Sequence, residues 1–187
     1  MAHAYSIGYG NRELSELLDL VAARGIRYLL DIRSSPYSRH SPDFNKETLE
    51  RACAAKGIKY VFVGDQLGGR PQTDWCYDEE GRVDYCRLAQ EPYFVNGIQR
   101  LETAIEKDID FVLMCSELRP EQCHRSKLIG KVLKEHGIQL RHIDADGCVV
   151  DQTTVIERLT GGQGELFGEA PEVSRSRGSY RAIQNND

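Results

Sequence analysis

The sequence predicts an α/β fold with three layers, α/β/α, built around a mainly parallel, Rossmann-like sheet. Two observations predict it. The first is a recurring junction, in which a helix-like stretch ends in Gly-Ile and runs directly into an apolar, partly β-branched run. Arg24-Gly25-Ile26 leads into Arg27-Tyr28-Leu29-Leu30-Asp31, Lys56-Gly57-Ile58 into Lys59-Tyr60-Val61-Phe62-Val63, and His136-Gly137-Ile138 into Gln139-Leu140-Arg141-His142-Ile143. A fourth junction, Lys107-Asp108-Ile109, leads into Asp110-Phe111-Val112-Leu113-Met114. Gly supplies the left-handed residue that ends a helix, and the apolar run after it reads as a strand covered on both faces. The second observation is the strand–helix alternation itself, which implies right-handed crossovers and helices on both faces of a parallel sheet.

The elements follow in order. A first strand ends at Gly8-Tyr9-Gly10. Leu14, Leu17, Leu18 and Val21 then repeat at helical spacing, with Asn11 as the expected N-cap. Leu49, Ala52 and Cys53 suit a shorter helix capped by Asn45. Residues 65–92 are rich in Gly, Pro and charge, and read as a long excursion of the functional kind. Phe94, Ile98, Leu101 and Ile105 form another apolar stripe, and Leu128, Val132 and Leu133 a third, with Pro120 placed in its first turn. Asp144-Ala145-Asp146-Gly147 is a tight turn, after which Cys148-Val149-Val150 folds back as an edge strand. From Gly161 onward the chain is glycine-rich with few aliphatics. The expectation is a single domain over residues 1–160 and a flexible C-terminal tail over 161–187.

Composition narrows the class. The chain has 187 residues, 40% apolar and 28% charged, with a net charge of −5. That length fits one domain of ~100–200 residues and buries roughly 70% of the unfolded surface. Wholesale disorder is excluded on this ground. No apolar run approaches the ~18 residues of a membrane span, so no membrane association is expected. The start of the chain has no basic stretch followed by an apolar run, so no signal peptide is expected. An acidic chain is poorly suited to coating nucleic acid through Lys and Arg, although a local basic patch remains compatible with a nucleic-acid partner. Six cysteines, at 53, 76, 86, 115, 123 and 148, read as reduced thiols in a cytoplasmic protein.

Ligands of open parallel sheets bind outside the carboxyl ends of the strands. There the sequence places Gly8-Tyr9-Gly10, then Asp31 to His40, then Gly64 to Pro71, then Cys115 to Arg125. Arg33, Arg39, Arg70, Arg119 and Arg125 gather at this edge, which suggests an anion, since guanidinium forks match phosphate or carboxylate. The Gly8-Tyr9-Gly10 turn resembles a phosphate-cradling turn, but Glu13 stands where a dinucleotide fingerprint needs its third Gly. A plain tight turn is the alternative. Cys115 ends a buried strand near the start of a helix, where a thiol is expected to become more acidic and nucleophilic. The phosphatase spacing Cys-x5-Arg fails at Glu121. A wheel started at Pro120 turns Arg125 toward the sheet and Cys123 away from it. The alternative for Cys115 is an inert packed thiol. A metal reading uses Cys115, Cys123 and His124, with zinc as the candidate ion, although Cys-x7-Cys-His is an unusual spacing and adjacent ligands are awkward on a helix. His124 and His40 are the histidines placed for proton transfer, whereas His3, His136 and His142 read as surface or edge residues. Asp31 is either an acid/base or orienting carboxylate, or half of a local ion pair with Arg33. Tyr9, Tyr37, Trp75 and Tyr77 are candidates for stacking on a base.

Four motifs in order carry a family resemblance: Ser6-Ile7-Gly8-Tyr9-Gly10, Asp31-Ile32-Arg33-Ser34-Ser35-Pro36, Leu67-Gly68-Gly69, and Cys115-Ser116-Glu117 with Cys123-His124-Arg125. Together they resemble the domain-of-unknown-function family numbered 488, DUF488, found mainly in prokaryotes. The resemblance spans about residues 4 to 145. It implies a compact α/β domain with a motif-rich pocket, and it supplies no reaction.

The expected function is a thiol-dependent transferase or hydrolase acting on a small anionic, phosphate-bearing substrate, such as a nucleotide or a nucleic-acid end. Cys115, His124 and Asp31 are the expected catalytic residues. Gly8, Tyr9, Gly10, Arg33, Ser34, Arg39, Gly69, Arg70, Ser116, Glu117 and Arg125 are the expected binding residues. No cofactor is expected on this reading. The alternatives are a non-catalytic nucleotide or nucleic-acid binding module, and a metal- or redox-linked Cys/His site.

Overall fold

A computed structural model describes residues 2–161 and 171–181. Its central sheet has six strands in the order β3-β2-β5-β1-β6-β7. These are β1 (Ala4–Gly8), β2 (Tyr28–Asp31), β3 (Lys59–Phe62), β5 (Phe111–Cys115), β6 (Leu140–Ile143) and β7 (Val149–Asp151). Five run parallel, and β7 pairs antiparallel with β6 at one edge, as the Asp144–Gly147 turn implies. The architecture is the three-layer α/β/α fold.

Period-two alternation divides the core between the two faces. Along β5, Phe111, Leu113 and Cys115 face one layer while Val112 and Met114 face the other. On the first face lie α5 (Pro92–Glu106), through Phe94, Ile98 and Leu101, and α6 (Lys131–Glu135), through Leu133. The opposite face is covered by α1 (Leu14–Ala22), through Leu17, Leu18 and Val21, and by α2 (Lys46–Ala55), through Leu49 and Cys53. The three Gly-Ile junctions end their helices as expected, with Gly25, Gly57 and Gly137 at φ of 70°, 69° and 77°. At the fourth, Asp108 takes the same conformation, the one non-glycine with positive φ among the described residues. Asp tolerates that region better than most side chains.

Several local expectations are corrected. Asn11 does not cap α1, which begins at Leu14 with Glu13 at the cap position. Asn45 stands at the N-cap of α2, but its Oδ1 accepts from the Ser38 N–H at 2.7 Å and leaves the helix end alone. Pro120 opens only a 3-10 turn, Pro120–Gln122, and the helix proper begins as a π-helical stretch, Arg125–Gly130, that continues into α6. His142 is neither surface nor edge. It is buried, bonded to Ser6 Oγ at 2.7 Å and to Gln152 Oε1 at 2.6 Å. Gln152 opens α7 (Gln152–Thr160) and donates to the Ser126 carbonyl at 2.9 Å. Its Oε1 therefore faces His142 Nε2–H, and His142 Nδ1 accepts from the Ser6 hydroxyl. Burial and the nearby Arg125 charge push this imidazole down to about 4.

The excursion after β3 holds a short helix, α3 (Gly64–Leu67), a strand, β4 (Arg82–Asp84), and α4 (Tyr85–Leu88). Of the tail expected from Gly161, residues 162–170 and 182–187 lie outside the described residues. In residues 171–181 the expectation of flexibility gives way to α8 (Pro171–Ser174) and β8 (Arg175–Ser179), which pairs antiparallel with β4. The described residues include no helix long and apolar enough to cross a membrane.

Candidate active site

The site is built where β2 and β5, neighbours in the sheet, release their chains. Tyr9 N–H and Gly10 N–H continue the ladder by donating to the carbonyls of Cys115 and Ser116 at 3.0 and 2.9 Å. Those donors are consumed by backbone, so the Gly8-Tyr9-Gly10 turn is not the phosphate cradle its spacing suggested. Gly8 serves a different need. A Cβ there would lie 1.8 Å from the Glu117 carbonyl oxygen, so its bare backbone lets the Cys115–Arg119 loop fold down. Arg125 holds that loop from behind. Its guanidinium is fully buried and donates to the Glu117 and Leu118 carbonyls at 2.5 and 2.8 Å.

The loop turns the Glu117 carboxylate back onto two thiols. Cys115 Sγ lies 2.9 Å from Glu117 Oε2, and Cys123 Sγ 3.3 Å from the same oxygen. His124 Nδ1 stands 3.8 Å from the Cys115 sulfur and 3.6 Å from that of Cys123. Cys123 therefore points into the cluster, contrary to the wheel drawn from Pro120, because the helix starts only after His124. Cys123 is extended (φ −120°, ψ 149°) and His124 is helical (φ −60°, ψ −19°), and this break turns two adjacent side chains to one side. Gly69 fixes the far face of the imidazole, since a Cβ there would meet His124 Cγ and Nδ1 at 2.8 Å.

Charge in the cluster is shared. The Cys123 sulfur and burial hold the Cys115 thiol well above its ordinary range, against the pull of His124. The acidic thiol expected beside a helix N-terminus is thus not found, since the helix begins ten residues further on. Burial works against ionisation of Glu117, yet hydrogen bonding from Cys115 and the charge of His124 hold its carboxyl at about 2. Burial lowers His124, but Cys115 and Glu117 outweigh it and leave the imidazole above its usual value. The resting cluster holds a protonated thiol donating to a carboxylate.

The second wall is the arginine after β2. Asp31 is fully buried and receives Arg33 Nε at 2.9 Å, Arg33 Nη2 at 2.6 Å and the Tyr60 hydroxyl at 2.8 Å. Both of its oxygens are occupied and it does not line the cavity. The expected catalytic role for Asp31 is therefore corrected to a positioning one, in which it fixes Arg33. Arg33 Nη2 also donates to the Phe44 carbonyl at 2.8 Å, and the guanidinium sits 5.5 Å from the centre of the Tyr9 ring. Its Nη1 is buried and has no partner among the described residues. A guanidinium with one free donor is an anion receptor with an open valence.

The third wall comes from the tail. Arg177 and Tyr180 line the cavity, with Arg177 Nη1 donating to Gln122 Oε1 at 3.0 Å and Arg70 stacked 4.1 Å over the Tyr180 ring. The cavity volume is about 460 Å³, within the range of small-molecule sites. Of the expected residues, Tyr9, Arg33, Ser34, Gly69, Arg70, Cys115, Ser116, Glu117 and His124 line it. Gly8, Gly10, Asp31, Arg39 and Arg125 do not, and neither do Arg119 and His40. Arg39 is exposed on the loop beyond Tyr37, and Arg125 is spent on carbonyls. Tyr37 joins the lining, whereas Trp75 donates to Glu91 and Tyr77 to the Pro71 carbonyl. Arg177, Tyr180 and Tyr85 were missed by sequence reasoning. The Arg82–Asp84 and Arg175–Ser179 strands are too short and polar to announce a pairing across more than ninety residues.

Cys115, Cys123 and His124 bring donor atoms within 4.8 Å of one another, so they form a group able to hold a metal ion. None of the six cysteines is in a disulfide. The profile of the family described as Domain of unknown function DUF488 matches residues 13–132, which cover three of the four motifs and stop before β6 and β8. No curated protein and no solved structure matches the chain.

Proposed function

The chain belongs to the DUF488 family, and from its cavity we propose that it is a thiol-dependent enzyme, a transferase or hydrolase, acting on a small phosphate-bearing substrate such as a nucleotide or a nucleic-acid end. The observation that carries this reading is Arg33, whose buried Nη1 has no hydrogen-bond partner among the described residues and which lines the same cavity as Cys115, Glu117 and His124. A phosphate oxygen on Arg33 Nη1 satisfies a buried donor that otherwise costs about 1–3 kcal/mol. Arg70 and Arg177 add charge at the rim. Tyr37 and Tyr180 offer ring faces to a base. The overall charge of −5 repels a phosphate at long range, so binding depends on these local cations. Cys115 supplies the sulfur on which activity depends. Glu117 and His124 handle protons. Six cysteines outside any disulfide support a reducing, cytoplasmic setting.

The test is a turnover screen over phosphomonoesters, nucleotides and 5′-phosphorylated oligonucleotides, followed by mass spectrometry of products. The expected result is turnover of at least one class by the wild-type chain, abolished in Cys115→Ser and accompanied by little change in affinity. Binding without any turnover, equal in wild type and Cys115→Ser, sinks the enzyme reading and leaves a recognition module.

A further inference from the structure

We infer that Cys115, Cys123 and His124 form a zinc site at the floor of the cavity, with the fourth position left to a water or a substrate oxygen. The inference deepens the proposed function and rests on its cavity: the thiol on which activity depends is required as a ligand.

The distances carry it. A tetrahedral ion with Zn–S of about 2.3 Å and Zn–N or Zn–O of about 2.0 Å places each sulfur roughly 3.5 Å from the nitrogen or oxygen beside it. The sulfur–nitrogen edges here are 3.8 and 3.6 Å, both of the size of a zinc shell, and the three donor atoms all lie within 4.8 Å of one another. The Glu117 carboxylate, 2.9 and 3.3 Å from the two sulfurs, is the acceptor of their S–H protons. Two sulfurs and one imidazole suit zinc and exclude magnesium or calcium, which take oxygen.

The chain holds these donors without help from one another. Cys115 is fixed by strand β5, and the other two ligands by the extended-to-helical break after Gln122. That break removes the objection to adjacent ligands, since neither stands on a helix interior. Surrounding groups already act as an outer shell does. Arg125 N–H points at the Cys123 sulfur at 3.5 Å, and Ser116 Oγ donates to Glu117 Oε2 at 3.2 Å. With Nδ1 turned to the sulfurs, His124 carries its other proton on the buried Nε2. Binding one Zn²⁺ releases one proton from each thiol, and the Nδ1 proton of a charged His124, to the buffer, so that two thiolates neutralise the ion. Cys115 and His124 line the cavity and Cys123 does not. The fourth position therefore faces the cavity, open to a water or a substrate oxygen.

The experiment uses the full chain, expressed with added zinc, desalted, and measured for metal by mass spectrometry. The metal is then stripped by chelator and replaced with cobalt. The expected result is one zinc per chain, and a cobalt form with sulfur-to-cobalt charge-transfer absorption and the intense visible bands of a tetrahedral dithiolate. Cys115→Ser and Cys123→Ser each lose the zinc on desalting, while Cys148→Ser, at an exposed thiol, keeps it. The wild-type cobalt spectrum reads the site even if a cysteine variant fails to fold. Substoichiometric zinc together with a cobalt form lacking charge transfer overturns the site. Chelator-insensitive turnover that still needs Cys115 does so too, and leaves the proposed function standing with a free thiol. Stoichiometric zinc in a chain that neither binds nor transforms any phosphate compound upholds the site and removes the proposed function.

Discussion

Two walls of the cavity differ in construction, and each holds an arginine in its own way. On the sheet wall, Arg33 is 5% exposed and clamped by both oxygens of a fully buried Asp31, with Tyr60 and the Phe44 carbonyl completing the clamp. On the ribbon wall, Arg177 is exposed and makes a neutral hydrogen bond to Gln122, from a strand whose sheet partner is β4. The sheet wall presents a fixed charge whose position was settled by folding. The ribbon wall presents a charge and a tyrosine held by fewer bonds. Under the proposed function, the first wall would decide whether an anion binds and the second which one.

Four predictions break or sharpen that contrast, from the largest effect to the smallest. Asp31→Ala strands Arg33 as a buried, unpaired cation, and losing one partner of such a pair costs about 3–5 kcal/mol. In a domain of this size that lowers the melting temperature by roughly 10 °C in a thermal scan. A loss below about 1 kcal/mol would mean that the clamp is an ordinary surface pair.

The second prediction concerns the buried His142, which stands against Ser6 and Gln152 and feels Arg125, Asp144 and Asp151. Its folded value near 4 lies below the unfolded value near 6.5, so the folded protein binds fewer protons. The stability it contributes is intact above pH 6.5 and is lost as pH falls toward 4, amounting to roughly 3 kcal/mol. Denaturant unfolding across that window measures the slope, and His142→Gln should flatten it. An equal slope in the variant would assign the effect elsewhere.

Third, Ser176→Ala removes the acceptor of the buried Val83 N–H, a 2.8 Å bond that ties β8 to β4. The expected cost is about 1–3 kcal/mol, smaller than that of Asp31→Ala, with hydrogen exchange rising first in the ribbon. A ribbon lesion more destructive than the sheet lesion would reverse the contrast. Fourth, Arg177→Ala should change stability by less than about 0.5 kcal/mol, yet weaken a phosphate ligand about tenfold, a difference of about 1.4 kcal/mol. Calorimetry against a nucleoside monophosphate reads the second number.

The same division governs what was legible in the sequence. The sheet wall is written locally. Gly-Ile junctions mark where strands begin, and residues at or just past the strand ends, Arg33 to Ser35 and Cys115 to Glu117, meet in the cavity. Which carboxylate does what was not legible, because Asp31 and Glu117 both follow buried strands. Only the fork of Arg33 and the hydroxyl of Tyr60 show that Asp31 is occupied, and only the loop packed over Gly8 shows that Glu117 is aimed at the thiols. The inward turn of Cys123 depends on a helix start displaced from Pro120 to Arg125, a shift that periodicity cannot detect. The ribbon wall was unreadable for a simpler reason. Its strands are three and five residues long, mostly polar, and distant in the chain.

The central claim is that Arg33 offers its free donor to a phosphate. The most direct measurement is isothermal titration of inorganic phosphate into the wild-type chain and into Arg33→Ala, with circular dichroism to confirm that both are folded. The account predicts a saturable one-site isotherm for the wild type and its loss in the variant. Equal binding by the two folded proteins, or no binding by the wild type, would contradict it.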